Sequence, residues 1–408
     1  SHYHLDDDLR SLHQQYPFIN VWDDHESAND SYVDGAQNHS PSTEGPWVER
    51  KSNATQAYHE WLPIRSPIPG DAQIYREIKY GDLMSLLMLD TRLNGRSEQG
   101  GGASDPSRTM LGTDQFSWLT NNLKNSSTQW KILGQQVMLS PLEIFGAVLN
   151  EDQWDGYDYE RNRLYDSILT NNIDNIVVLT GDIHSSWVND IPSNNYDASN
   201  CTGSLGVEYV VTSVTSPGLS FLGGVATGTI SLFNPHIQYT NLSEHGYMIL
   251  DVSKSKVTGN YYYMNSVDVV LSGEYFEDAY SVLDGEKCVE QANGPTQSSK
   301  DPPIFAPESP INGTAAINEH LTAFTVFGTY PNPFYEDITI QLFLVNDQAI
   351  TFECYDIAGK LVFNQEIDLL SKGLNYVKLY LSNLSSGTYS LVIKSENHYS
   401  SKKLIKSY

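Results

Sequence analysis

The chain has 408 residues, 24 of them Lys or Arg against 50 Asp or Glu, for a formal net charge of −26. So acidic a surface excludes a nucleic-acid binder, which needs clustered cations for the phosphate backbone, and disfavours docking on an anionic membrane face. At 39% hydrophobic and 11% aromatic residues the chain has ample material for a large core, which sets the disordered class aside.

At roughly 100–200 residues per domain, the length predicts two or three domains. The chain opens Ser1-His2-Tyr3-His4, with neither an initiator Met nor a basic-then-apolar leader, and is expected to be a fragment whose targeting segment precedes it. Pro17 to Trp22 is a short apolar run predicted as a strand, and it stops at Asp23-Asp24-His25-Glu26. Ile74 to Lys79 and Leu83 to Leu89 flank Gly81-Asp82 and predict a hairpin. The second of these is the longest apolar run, far short of the ~18 residues of a membrane span.

Thr113 is placed to cap a helix with Phe116, Leu119 and Leu123 on one face, followed by a strand at Trp130 to Leu133. A helix from Tyr157 to Leu169 feeds the strand Asn175 to Thr180, which ends at Gly181-Asp182-Ile183-His184. Further strands are predicted at Val207 to Thr212, Tyr247 to Val252 and Val257 to Met264. The alternation is that of a layered α/β domain delivering Asp and His at strand ends, where sites in open α/β sheets lie.

Residues 1–285 form this α/β domain and 286–325 a linker rich in Gly, Pro, Ser and Thr. Residues 326–408 are predicted all-β, six strands separated by regular turns in a sandwich. The charge is divided unevenly: residues 1–325 hold 17 basic and 42 acidic side chains, residues 326–408 only 7 and 8. Cys201, Cys288 and Cys354 are too far apart for a short-spaced zinc motif. A Cys201–Cys288 bridge is one reading, and unpaired buried thiols are the preferred one.

Four consecutive polar residues after an apolar run are poor core material and need solvent, mutual pairing or a metal. Thr180-Gly181-Asp182-Ile183-His184 repeats the same strand-then-Asp/His order. On extended backbone Asp182 and His184 share a side, so carboxylate and imidazole could hold one cation or two adjacent ones. Oxygen donors with few nitrogens suit Ca, Mn, Mg or Fe(III) better than structural zinc. Arg92 and Arg65 are candidates for bidentate phosphate contact, with a salt bridge in the acidic domain as the equal alternative. Gln135 and Gln136 are read as amides bound to backbone, and the Tyr261-Tyr262-Tyr263 run as packing.

These two strings resemble the alkaline phosphatase D family of PhoD-like metallophosphoesterases. So do Leu89-Asp90-Thr91-Arg92, Met110 to Leu119, Trp130 to Met138, and Asn234-Pro235-His236 with Glu244-His245-Gly246-Tyr247, in family order over about residues 1–265. The resemblance implies an α/β fold, the calcineurin-like αββα sandwich, incomplete at its N-terminus. It implies hydrolysis of phosphate monoesters or diesters at a multi-metal centre of iron and calcium. Carried over by position, Asp24, Asn29, Asp182 and His184 would be metal ligands, and His25 would face the phosphate as general acid or charge stabiliser, with Arg92 beside it. The family's upstream Gly-Asp-x-x-Tyr string is not in this sequence. Ca²⁺ alone takes roughly 6–8 oxygens, so the rest of the site is expected to be encoded before Ser1. A non-catalytic cell-surface binding protein that keeps the fold is the competing reading.

A second resemblance lies at the end. Tyr330-Pro331-Asn332-Pro333-Phe334, Tyr355-Asp356-Ile357-Ala358-Gly359-Lys360, Ser386-Gly387-Thr388-Tyr389 and Lys402-Lys403-Leu404-Ile405-Lys406 resemble the C-terminal sorting domain of type IX secretion, an Ig-like sandwich. It implies export by that machinery to the outer surface or surroundings of a Gram-negative bacterium.

Overall fold

The computed structural model describes residues 6–62, 64, 73–219, 223–269, 272–297, 324–357, 359–395 and 398–407. Two compact units divide it, Ser1–Ala306 and Pro307–Tyr408.

The first unit is organised by a sheet of seven strands. In chain order these are β1 (Arg76–Tyr80), β2 (Met84–Met88), β3 (Trp130–Gly134), β6 (Ile176–Thr180), β7 (Ser186–Asp197), β8 (Thr202–Val210) and β9 (Ile237–Asn241), with a small hairpin of β4 (Glu143–Ile144) and β5 (Ala147–Val148) between β3 and β6. The spatial order is β1-β2-β3-β6-β8-β7-β9, parallel from β2 through β8 and antiparallel at both margins. Parallel strands covered on both faces read as continuous apolar runs, and alternate residues here serve two different cores. Leu87, Leu133, Val178 and Leu205 pack on Phe116, Leu119, Leu164 and Ile168 of the helices Gly112–Asn125 and Asp158–Thr170. Leu86, Ile132, Val177 and Val207 face the other way, onto Val257, Tyr261, Tyr263 and Val282.

Those last residues belong to a second sheet, antiparallel, of β10 (Gly246–Val252), β11 (Lys256–Met264), β12 (Glu274–Leu283) and β13 (Glu290–Ala292). The order of layers is therefore helices, sheet, sheet. Two of the three residues in the tyrosine run, Tyr261 and Tyr263, are fully buried between the sheets.

Several expectations are revised. Pro17 to Trp22 forms no strand. The Asn20 carbonyl is taken by the Arg76 guanidinium and that of Trp22 by the Gln136 amide, so side chains satisfy this extended backbone. Thr113 does not cap its helix, which begins at Gly112. Glu160 accepts from the Met110 and Leu111 N–H groups, and Thr109 Oγ1 from Gly112 N–H at 2.6 Å, placing a carboxylate where the helix dipole favours one. Within the stretch expected to be linker, β13 pairs with β12 and Thr296 N–H donates to Asn260. Cys201 and Cys288 are joined in a disulfide, against the preferred reading of free thiols, and Cys354 is free and buried. The two partners are 87 residues apart, a separation from which sequence offers no pairing signal.

The second unit is all strand. β14 (Phe324–Tyr330), β15 (Asp337–Leu344), β16 (Gln348–Tyr355), β17 (Leu361–Leu370), β18 (Gly373–Tyr380), β19 (Gly387–Lys394) and β20 (Tyr399–Lys406) form sheets β14-β15-β18 and β17-β16-β19-β20. Period-two alternation points Ile338, Ile340, Leu342 and Leu344 from one sheet and Phe352, Cys354, Leu391 and Ile393 from the other into one core. The Asn332 side chain pins the first signature segment to the last strand, donating to Lys403 O and accepting from Ile405 N–H.

Candidate metal centre

Gln136 holds the site's backbone together. Its amide donates to the carbonyls of Trp22 and Leu89 and accepts from the Thr91 N–H and hydroxyl, all within 3.0 Å. The segment ending at Trp22, which joins no strand, is thus fixed to the ends of β2 and β3. After Trp22 the chain turns tightly: Ser27 and Ala28 N–H groups donate to Asp24 O, and Asp23 N–H to Glu26 Oε2. That turn buries the Asp24 carboxylate, whose Oδ2 accepts from Asp30 N–H at 3.0 Å.

The second string leaves β6 in a bend. Asp182 and His184 both have left-handed backbone, φ 65° and 53°, so the extended geometry expected for this pair does not occur. Non-glycine residues held there carry strain of the kind that collects at functional sites. Asp23, Asp24 and Asp182 each bring a carboxylate oxygen within 4.8 Å of the others. Of the expected ligands, Asp24 and Asp182 are in this cluster, and Asp23 stands in it unassigned by the sequence reading. His184 does not join it. Its Nδ1–H donates to Pro217 O at 3.1 Å, which leaves the Nε2 lone pair to act as a ligand. Asn29 lies on the next turn, its amide donating to Gln37 and its N–H accepted by Asn38. His25 is at the mouth, its side chain 75% exposed and Nε2 4.0 Å from Asp24 Oδ2.

Arg92 occupies a place the sequence reading left open between phosphate contact and salt bridge. Its Nε meets Asp23 at 2.7 Å, Nη1 Asp152 at 2.7 Å and Nη2 Asp182 at 2.6 Å, and its side chain is fully buried. Each of the three nitrogens meets a carboxylate, which is the salt-bridge side of that reading, and the contacts tie Asp23, Asp152 and Asp182 together. A buried arginine needs such partners, and its rigid fork suits several acids at once. Asp152 also binds Arg96. Arg65, the other arginine candidate, lies outside the described residues.

Five carboxylates (Asp23, Asp24, Asp30, Asp152 and Asp182) interact here with two guanidiniums, Arg92 and Arg96. The imbalance is visible in the acids. Burial raises the Asp182 carboxyl well above the usual range, and the Asp23 charge adds to this despite Arg92. Burial likewise raises Asp30. Asp152 is lowered, because Arg96 and Arg92 together outweigh its burial. A surplus of oxygen-borne negative charge with no thiolate in reach fits a hard, multivalent cation.

Comparison with known proteins bears on what such a cage serves. Residues 1–261 match the family model for PhoD-like phosphatase, and residues 328–407 that for a secretion system C-terminal sorting domain. Alkaline phosphatase D of Bacillus subtilis (strain 168) is 35% identical over 275 residues, 64% of this chain and 46% of that protein. The chain thus spans about half the length of this curated relative. A solved structure described as that of PhoD superposes with a TM-score of 0.64 at 30% identity, covering 73% of this chain and 59% of the other.

Proposed function

The chain belongs to the PhoD-like phosphatase family, and we propose that its carboxylate cage is the protein's share of a metal centre that hydrolyses phosphate esters outside the cell. The observation that carries this is the cluster of Asp23, Asp24 and Asp182 within 4.8 Å, undercompensated by Arg92. Asp24 and Asp182, with His184 through Nε2 and Asn29 through its carbonyl oxygen, would hold the cations, and we extend the set to Asp23. Bound iron and calcium would supply an activated water and neutralise phosphoryl charge. Arg92 keeps Asp23 and Asp182 in place through one charge-assisted hydrogen bond to each. His25, exposed beside Asp24, would give a proton to the leaving oxygen of an ester arriving from solvent.

The layers helices, sheet, sheet are read as three of the four in a calcineurin-like sandwich, and the second unit as an Ig-like fold presented to the type IX secretion machinery. The sorting domain marks the chain for export to the cell surface or beyond. No helix among the described residues is long and apolar enough to cross a membrane.

The test is turnover of p-nitrophenyl phosphate and bis-p-nitrophenyl phosphate by chelator-stripped protein before and after adding iron and calcium. Hydrolysis restored by metal in the parent, and lost in Asp182→Ala and His184→Ala, is the expected result. No hydrolysis of either ester, or full activity in both variants, would sink the assignment. Metal binding without turnover would favour the non-catalytic binding protein instead.

A further inference from the structure

Away from the cage, one cation is buried without its hydrogen bonds. Arg108 is 8% exposed, and its Nε and Nη2 find no partner among the described residues. Its guanidinium lies 4.9 Å from the centre of the Tyr157 ring, and that of Arg96 lies 5.3 Å from the same ring. A ring face attracts a cation but satisfies none of its N–H groups, and a buried donor left unmade is costly. The contrast with Arg96 is informative. Arg96 spends Nε on the Tyr157 hydroxyl, Nη1 on Thr91 O and Nη2 on Asp152. Asp105, whose carboxylate feels the Arg108 charge, gives its Oδ1 to the N–H and hydroxyl of Ser107.

The loop beside Arg108 supplies the second half. Gly100, Gly101 and Gly102 follow one another at φ 86°, 82° and 113°, a run of backbone that only glycine adopts without strain. A Cβ at Gly101 would stand 3.7 Å from Arg108 Nη1, and one at Gly102 would meet nothing within 4 Å. Nη1 is thus the nitrogen that faces the loop, Nε and Nη2 being closed off from solvent, and a Cβ at Gly100 would stand 3.9 Å from Glu151 Oε2. Their N–H groups donate to no described residue. Free backbone amides in successive turns form concavities that take anions.

We propose that Arg108 and the Gly100–Gly102 loop form a second oxyanion site, for a phosphate group, apart from the carboxylate cage. The guanidinium presents Nη1 to the loop as a charged donor for a phosphate oxygen, and a glycine loop lets backbone approach it closely. The site is joined to the cage by short steps: Arg108 and Arg96 share the Tyr157 ring, Arg96 binds Asp152, and Asp152 binds Arg92.

Calorimetry of inorganic phosphate binding to chelator-treated protein tests this, because stripping the metals removes any phosphate held through them. One saturable site is expected, weakened about tenfold or more in Arg108→Gln. In the parent, phosphate should also slow amide hydrogen exchange across residues 99–103, and acetate should not. The exchange measurement needs no variant, so it decides the matter even if Arg108→Gln fails to fold. Absence of saturable binding, unchanged binding in folded Arg108→Gln, unaltered exchange in the loop, or equal protection by acetate would each overturn the proposal. None of these outcomes touches the reading of the cage, which is tested with metals and esters.

Discussion

Replacing Arg92 with Met removes the guanidinium and keeps much of the volume. Each of its three carboxylate contacts is 2.6–2.7 Å long around a fully buried side chain. With charge centres about 4 Å apart and an effective dielectric of about 20, each pair is worth about 4 kcal/mol before desolvation. Desolvation of the guanidinium takes back several kcal/mol, but it is recovered only if the acids left behind are also relieved, and here they are not. Arg92→Met should therefore destabilise the metal-free protein by about 3–5 kcal/mol, the range for a buried pair broken on one side. All seven tryptophans lie in the first unit, so urea unfolding followed by tryptophan fluorescence reports on the unit that contains the cage. The companion variant Asp182→Asn removes one of the stranded charges, so the double variant should lose about 1–3 kcal/mol less than the sum of the singles. A loss below about 1 kcal/mol for Arg92→Met, or a cycle additive within about 0.5 kcal/mol, would refute the role given to Arg92.

Four further outcomes follow, three from the cage and one from a buried histidine outside it. Asp182→Asn alone should stay within about 1 kcal/mol of the parent in metal-free urea unfolding, since Asn tolerates the left-handed backbone and the buried charge is gone. The same variant should bind calcium about tenfold or more weakly by calorimetry. Gln136→Leu leaves the carbonyls of Trp22 and Leu89 and the Thr91 N–H unmet in a buried place. It should cost about 2–4 kcal/mol by the same unfolding assay, and a loss under about 1 kcal/mol would contradict it. His236 is buried, which lowers its imidazole to about 4, although its hydrogen bond to Pro141 O opposes the shift. Its neutral form stabilises the fold fully above the ordinary value of about 6.5, and that contribution is lost as pH falls toward 4, about 3 kcal/mol in all. The stability difference between pH 7 and pH 4 should shrink by about that amount in His236→Gln, and an unchanged difference would show that the buried imidazole is not what titrates.

The sequence made these acids visible because apolar runs that stop at Asp-Asp-His-Glu and Gly-Asp-Ile-His leave few ways to place the charges. The two strings and the pair Asp182 and His184 were legible on that ground, and Asp24 was singled out only by the resemblance. Asp23 was in plain view, yet nothing in a string of four polar residues says which of them points inward; the turn closed by Asp24 O and Glu26 decides it. Asp152 was out of reach. It comes from the loop after the short β4–β5 hairpin, and it matters only because Arg92 and Arg96 converge on it from 60 and 56 residues away. Arg92 could be read two ways from its chemistry, and its contacts with acids 60 to 90 residues away leave no trace in the sequence around it. The failed strand at Pro17 to Trp22 teaches a related lesson. Alternating apolar residues report that a segment is covered, while whether its carbonyls meet a neighbouring strand or the side chains of Arg76 and Gln136 is a tertiary matter.

The Cys201–Cys288 bond gives the molecule a history. Such a bond is not kept where thiols are held reduced, and it forms once a chain reaches an oxidising compartment. For a chain marked for export, the β7–β8 hairpin and the segment leading into β13 are therefore joined only by packing and hydrogen bonds while the protein is still inside the cell. The covalent tie across 87 residues comes with departure, and by closing so long a loop it takes entropy from the unfolded chain. The exported molecule is thus harder to unfold than the one that was synthesised, and the difference falls where no chaperone can refold it.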